Sequence, residues 1–203
     1  NTLNYLDIKT VIVSCGTCMD QLLKYEFERI FPGCRLLDIH EYLFEKGIKL
    51  DGVQGVQYLY HDPCHTPMKS HNPIKVASTL LGKPVLLSDR CCGESGTLAV
   101  TRPDVSTQVR FRKQQEIEAG VAQLQKVGAG GTALAGSAAN MGTATKILTS
   151  CPSCLQGLAR YREDATIEAD YIVVELARHI LGQDWLENYV STANAGGIER
   201  VLL

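Results

Sequence analysis

Residues 146–163, KILTSCPSCLQGLARYRE, contain the pattern that decides the fold: a short apolar run, a Cys-x-x-Cys turn and an amphipathic stretch. Such a run followed by an amphipathic segment predicts a strand leading into a helix. The same pattern occurs at residues 11–28, VIVSCGTCMDQLLKYEFE. Five residues recur at a constant offset of 136: Ser14, Cys15, Cys18, Leu22 and Tyr25 return as Ser150, Cys151, Cys154, Leu158 and Tyr161. This internal repeat indicates two copies of one structural unit.

The rest of the chain continues the alternation of short β-branched runs with longer amphipathic segments. We predict strands at Thr10–Ser14, Arg35–Ile39, Val56–His61, Val85–Ser88 and Lys146–Thr149. We predict helices at Met19–Ile30, His40–Lys46, Ile74–Leu81, Pro103–Lys126, Leu155–Arg162 and Val173–Leu181. Strands that alternate with helices imply βαβ units. The expected fold class is therefore α/β, with a mostly parallel sheet and flanking helices.

The segment 128–146 is rich in glycine and alanine and contains GAGGTA, a formal match to a dinucleotide-binding pattern. That pattern requires a strand before it and a helix after it. Because a predicted helix precedes the segment, we expect a connecting loop.

Composition limits the classes of function. The chain has 203 residues, 45% hydrophobic and 21% charged, with a formal net charge of -2, as in an ordinary globular domain. It has no basic block, so we expect no nucleic-acid partner. No apolar run is long enough to span a bilayer, and no secretory signal is visible, so a cytoplasmic location is expected. The chain does not begin with methionine, which indicates a fragment or a processed chain.

The cysteines are the unusual feature. There are eight: Cys15, Cys18, Cys34, Cys64, Cys91, Cys92, Cys151 and Cys154. Clustered cysteines without an export signal are more often metal ligands or redox groups than disulfides. Five of them follow predicted strands, in HDPC (Cys64), RCCG (Cys91, Cys92) and SCPSC (Cys151, Cys154). Parallel strands end at a common edge, so these five thiolates are expected to converge. Five exceeds the four ligands of a tetrahedral zinc site and suits an iron–sulfur cluster, although a zinc site using four of them stays open.

The motifs HDPCH, DRCCGESGT and SCPSCLQGL resemble, in order, the cysteine-rich CCG domain. Such domains occur in heterodisulfide reductase, in the iron–sulfur subunit of glycolate oxidase and at the C-terminal end of large FAD-linked oxidases. The resemblance implies the C-terminal part of a first module over residues 1–54 and a complete second module over residues 55–203. It also implies that a [4Fe–4S] cluster, noncubane in the heterodisulfide reductase type, is held by Cys64, Cys91, Cys92, Cys151 and Cys154. The spacing departs from the family: Cys64 to Cys91 is shorter, and Cys92 to Cys151 is longer.

The function that the resemblance implies is electron transfer within a flavin-linked 2-hydroxy-acid oxidoreductase of the lactate or glycolate type. FAD would lie in a partner domain or subunit, because nothing in this chain supplies a flavin site. Other iron–sulfur domains are further expected partners, and any peripheral membrane association would come through partners. Two alternatives stay open: disulfide reduction at the cluster, as in heterodisulfide reductase, and a zinc-stabilised interaction domain without catalytic activity.

Three cysteines lie outside this set. Cys15 and Cys18 match the closing Cys-x-x-Cys of the first module. A Cys-x-x-Cys at a helix N-terminus is also the geometry of a redox-active pair, so metal binding, a disulfide and free thiols all stay open. Cys34 is predicted to be a lone core residue.

Several polar residues accompany the motifs. His61 and His65 flank Cys64, and we expect them to hydrogen-bond to the loops that carry the cysteines, with direct metal ligation as the alternative. The cations of the long helix are expected to lie on its solvated face, with a docking surface for a flavin domain as the alternative: Arg110, Arg112 and Lys113.

Overall fold

A computed structural model describes residues 6–94, 96–129 and 144–196 of the chain. The N-terminal part forms a two-stranded parallel sheet of β1 (Thr10–Val13) and β2 (Arg35–Asp38). Its helices are α1 (Gly16–Lys24), α2 (Phe27–Ile30) and α3 (Ile39–Glu45).

The second sheet has four parallel strands in the order β4-β3-β5-β6. They are β3 (Val56–His61), β4 (Val85–Ser88), β5 (Ala144–Thr149) and β6 (Glu168–Tyr171). The accompanying helices are α4 (Pro73–Leu80), α5 (Leu98–Thr101), α6 (Pro103–Ala129), α7 (Pro152–Ala159), α8 (Tyr161–Asp164), α9 (Ile172–Leu181) and α10 (Trp185–Gly196). The predicted α/β class with parallel sheets and flanking helices is confirmed.

Helices cover both faces of the four-stranded sheet, because the central strands are apolar on both sides. In β3, Tyr58 and Tyr60 face one buried cluster, which includes residues of α4 and α9. Leu59 faces the other cluster, which includes Ile117 of α6 and Leu158 of α7. This alternation is the period of two expected of a strand. A strand buried on both faces has neighbouring large apolar residues rather than a strict alternation with polar ones, as in Tyr58, Leu59 and Tyr60 of β3.

The two Cys-x-x-Cys turns of the repeat have the same backbone form. Cys15 is the N-cap of α1, with φ −146° and ψ 124°. Cys151 is the N-cap of α7, with φ −130° and ψ 123°. The hydroxyl of Tyr171 lies 2.7 Å from the carbonyl oxygen of Ser14 and 3.1 Å from that of Ser150, so its one proton is shared between the residues that precede the two turns. One side chain therefore ties the two turns to each other. The division into modules at residue 54 falls between α3 and β3 and stays a prediction.

Some predicted elements differ from those observed. The predicted helix Met19–Ile30 is two helices, because Glu26 adopts a left-handed conformation with φ 52° between them. The predicted helix Leu155–Arg162 is likewise divided between α7 and α8. Strand β6 was not predicted. Most of the loop predicted over 128–146 lies outside the described residues, and within them α6 continues to Ala129 and β5 begins at Ala144. None of the described helices has the length and apolar character needed to cross a membrane.

Candidate metal centre

The five predicted ligands surround one cavity at the carboxyl ends of three neighbouring strands. His61, Ser88 and Thr149, the last residues of β3, β4 and β5, are in register. The loops that follow them therefore start at one level of the sheet. These loops line a cavity of about 100 Å³ with all five cysteines: Cys64, Cys91, Cys92, Cys151 and Cys154. The structure brings the set together, and its binding of metal stays a prediction.

Two of the cysteines form the buried side of the cavity. Cys92 and Cys154 are only 5% and 8% exposed, and their Sγ atoms lie 3.5 Å apart. A disulfide would bring the two sulfurs to about 2.05 Å. Two thiolates bound about 2.3 Å from one tetrahedral ion would lie about 3.8 Å apart. The observed separation is therefore close to that of two ligands of one metal ion.

Backbone N–H groups lie near the sulfur atoms. The amide of Gly93 is 3.4 Å from Cys91 Sγ, and Gly93 has a φ of 78°, where a side chain would be strained. At the start of α7, the Cys154 thiol lowers the pKa of Cys151 to about 6, against burial, with help from the backbone N–H groups of Ser153 and Cys154. Such N–H donors stabilise thiolates and tune a metal centre.

The thiols of Cys92 and Cys154 differ in pKa because they share a proton. The Cys154 thiol lowers the pKa of Cys92 to about 4, although burial raises it. The pKa of Cys154 is raised correspondingly by hydrogen bonding to Cys151 and Cys92 and by burial. Burial and the neighbouring Cys91 raise the pKa of Cys64. Part of the set is thus anionic near neutral pH, and a bound cation would displace the remaining protons.

Two glycines allow the loops to approach closely. A Cβ on Gly157 of α7 would lie 2.8 Å from Glu94 Cβ and 3.5 Å from Cys92 Cβ. A Cβ on Gly16 of α1 would lie 1.6 Å from the carbonyl oxygen of His65. The first Cys-x-x-Cys turn therefore packs directly on the loop that carries Cys64. Its Thr17 lines the cavity.

A buried ionic network lies behind the cysteine-bearing turn. Lys113 of α6 was expected on a solvated helix face, and this expectation was wrong, because its side chain is 0% exposed. Its Nζ donates to Ser88 Oγ at 2.7 Å and to Glu116 Oε2 at 2.8 Å. Glu116 also accepts from the backbone N–H groups of Asp89 and Arg90, at 3.0 and 3.2 Å. The network thus attaches the turn that leads to Cys91 to helix α6.

The sequence did carry a signal for Lys113. Ser106, Lys113 and Ile117 share one face of α6 at helical spacing, and all three are buried. Of the other two cations grouped with Lys113, Arg112 is exposed and Arg110 is half-buried.

The two histidines near Cys64 have different environments. His65 is exposed and its Nδ1 lies 2.6 Å from Asp20 Oδ2. His61 is fully buried, and one ring nitrogen lies within 4.8 Å of the Sγ atoms of Cys92 and Cys154. The expected role of His61 as a hydrogen-bonding group is met at Nδ1, which lies 3.1 Å from the carbonyl oxygen of Ser88.

The other three cysteines lie outside the cavity lining. Cys34 is buried, as predicted. Cys15 is half-buried and Cys18 is exposed. Hydrogen bonding to Cys15 and its charge raise the pKa of Cys18, so these two thiols face each other. Their participation in metal binding stays a prediction.

No solved structure matches the chain. Residues 159–203 match a domain of unknown function, DUF3400. An uncharacterized iron-sulfur protein of Methanococcus maripaludis is 27% identical over 122 residues, which cover 57% of this chain and 24% of that protein. An uncharacterized iron-sulfur protein of Methanocaldococcus jannaschii is 24% identical over 182 residues, which cover 85% of this chain and 32% of that protein.

The chain thus spans about a quarter of the length of the first relative and about a third of the length of the second. The family model of the cysteine-rich domain, CCG, matches residues 58–159, about half of the chain. That range includes most of β3, all of β4 and β5, and the five cysteines of the cavity. The chain belongs to the family of cysteine-rich CCG domains.

Proposed function

We propose that this chain holds an iron–sulfur cluster and transfers electrons through it. The observation that carries the proposal is the convergence of five cysteine side chains on one cavity, from three loops that follow neighbouring strands. Thiolates are the protein ligands of such clusters. Both relatives are named as iron–sulfur proteins.

The donor set fits such a cluster chemically. The 3.5 Å spacing of Cys92 and Cys154 suits shared metal coordination, and the Gly93 amide faces the sulfur of Cys91. Five thiolates are one more than the four that hold a simple [4Fe–4S] cluster. We therefore assign a [4Fe–4S] cluster of the noncubane type. The ligands are Cys64, Cys91, Cys92, Cys151 and Cys154.

The residues of this chain set the properties of the cluster, which itself supplies the redox chemistry. Cys92 and Cys154 hold its buried side, where the apolar cluster around Leu59, Ile147 and Leu158 excludes water. Amide donors from Ser153 and Cys154 help to lower the pKa of Cys151. Cys64 is exposed and Cys91 is half-buried, so the cluster would lie near the surface on that side. An open groove lined by Arg90, Val109 and Arg112 adjoins Cys91.

The electron donor in this proposal is a flavin. FAD would be bound by a partner domain or subunit that oxidises a 2-hydroxy acid, as the family resemblance implies. Other iron–sulfur domains would take the electrons onward. Eight free cysteines persist in a reducing compartment, which supports a cytoplasmic location.

Electron transfer from flavin is tested by adding chemically reduced FMN to the anaerobically reconstituted protein. The visible absorbance of the cluster is expected to bleach and to return when an oxidant is added, because the cluster lies near the surface. The matched control is the protein without reconstituted metal. A cluster that is reduced by dithionite but not by reduced flavin would contradict the flavin-linked role.

One observation favours zinc as the second candidate. His61, Cys92 and Cys154 place their ligand atoms within 4.8 Å of one another, a spacing suited to a single ion. A zinc-stabilised interaction domain would then bind one zinc and no sulfide.

A further inference from the structure

His61 has a buried ring nitrogen, Nε2, with no hydrogen-bond partner among the described residues. The imidazole is fully buried at the end of β3 and lies beside the sulfur atoms of Cys92 and Cys154. A buried polar atom without a partner costs about 1–3 kcal/mol. Its position among candidate metal ligands raises the question of what pairs with it.

The neighbours of Nδ1 decide which ring nitrogen carries the proton. Nδ1 lies 3.1 Å from the carbonyl oxygen of Ser88 and 3.2 Å from Lys113 Nζ. The three protons of Lys113 have three oxygens at shorter distances: Ser88 Oγ at 2.7 Å, Glu116 Oε2 at 2.8 Å and Ser88 O at 3.1 Å. The ammonium therefore does not need Nδ1 as an acceptor. Without a proton on Nδ1, its lone pair would face the lone pairs of the Ser88 carbonyl.

A proton on Nδ1 leaves a lone pair on Nε2. The lone pair would be repelled by the thiolate of Cys92, which hydrogen bonding to the Cys154 thiol keeps anionic near neutral pH. A metal ion held by Cys92 and Cys154 removes this repulsion, since it accepts the lone pair.

We propose that His61 binds the metal centre directly through Nε2, alongside Cys92 and Cys154. Histidine ligands usually donate their other ring N–H to a carbonyl or a carboxylate, as Nδ1 does here to Ser88. Lys113 and Glu116 act as positioning residues, because they hold Ser88 in place. The inference rests on the presence of a metal centre in the cavity and adds a neutral ligand to its cysteines.

A neutral nitrogen ligand changes the charge of the centre. Imidazole in place of thiolate raises the reduction potential of iron–sulfur centres. Replacing His61 with cysteine is therefore expected to lower the reduction potential of the reconstituted protein.

The test is electron paramagnetic resonance of the reconstituted, reduced protein labelled with ¹⁵N-histidine. We expect a nitrogen coupling of the size of a directly bound imidazole, which disappears in His61→Ala and persists in His65→Gln. His65 is the matched control because it lines the cavity that holds the five cysteines. Only the weak coupling of a hydrogen-bonded nitrogen, or a strong coupling that persists in His61→Ala, would overturn the proposal.

Two further arms keep the test decisive. If His61→Ala loses its metal, the other four histidines are replaced one at a time: His40, His65, His71 and His179. A strong coupling that survives all four replacements assigns the ligand to His61, and its loss in any of them contradicts the assignment. Iron and sulfide are measured on the same samples, so failure of the proposed function is seen separately. If no iron–sulfur cluster forms, the labelled protein is loaded with Co²⁺ instead and its nitrogen coupling is measured. A strong coupling then supports ligation by His61, and only a weak one contradicts it.

Discussion

Replacing Cys92 with serine is expected to abolish cluster binding. Cys92 is buried, its Sγ lies 3.5 Å from that of Cys154, and a hydroxyl is a poor substitute for a thiolate ligand. The loss should exceed the roughly 10- to 100-fold in metal affinity that follows mutation of an outer-shell residue. Iron per folded chain and the visible spectrum after anaerobic reconstitution measure the effect.

Cys34 offers a matched control for this change. It is 7% exposed, against 5% for Cys92, and it lies outside the lining of the cavity. Cys34→Ser should therefore keep the iron content and spectrum of the unchanged protein. A Cys92→Ser protein with a full iron content and an unchanged spectrum would contradict the assignment of Cys92.

Replacing Glu116 with alanine is expected to lower the free energy of unfolding by about 3–5 kcal/mol, the cost of breaking a buried ion pair by removing one partner. Lys113 would keep a buried charge, because its side chain is 0% exposed. Urea denaturation of the metal-free protein measures the change. Glu118→Ala is the control on the same helix, since Glu118 is exposed, and should change stability by less than about 0.5 kcal/mol.

A second variant separates the effect of the unpaired Lys113 charge from the effect of the lost Glu116 side-chain volume. Adding Lys113→Met to Glu116→Ala removes the unpaired cation and should recover most of the lost stability. A double variant as unstable as Glu116→Ala would contradict the account.

The ion pair of Lys113 and Glu116 should also make the free energy of unfolding depend on pH in the acid range. Burial alone would raise the pKa of Glu116, but hydrogen bonds and charge from Lys113, with donors from Ser88 and Arg90, lower it to about 2 from 4.5. A carboxyl whose pKa is lower in the folded state stabilises the fold above its ordinary pKa. This contribution should be present above pH 4.5 and disappear as the pH falls towards 2. Glu116→Ala should lack that part of the acid dependence.

The convergence of the five cysteines could be predicted from the sequence because they follow strands. A parallel sheet aligns strand ends, so the positions of Cys64, Cys92 and Cys154 could be related without knowing any side-chain contact. The alternation of side chains between the two faces of β3 is likewise visible in a short stretch of sequence. So is each copy of the repeated Cys-x-x-Cys motif, which begins at Cys15 and again at Cys151. These features follow from residues close together in the chain.

The missed features depend on contacts between different elements of the fold. Strand β6 has the sequence EADY, whose two carboxylates, Glu168 and Asp170, do not form the apolar pattern of a buried strand. Asp170 is nevertheless buried, because Arg178 of α9 forms an ion pair with it. The burial of Lys113 similarly requires Ser88, from β4, and Glu116. Neither the contact of Lys113 with Ser88 nor the pair of Asp170 with Arg178 is visible in a local pattern, although the helical spacing around Lys113 does mark its buried face.

The most direct test of the central claim is the amount of iron and acid-labile sulfide per folded chain after anaerobic purification and reconstitution. We predict about four irons per chain, with a matching amount of sulfide and a visible absorbance that bleaches on reduction. A colourless protein that binds one zinc, without labile sulfide under the same conditions, would contradict the iron–sulfur assignment.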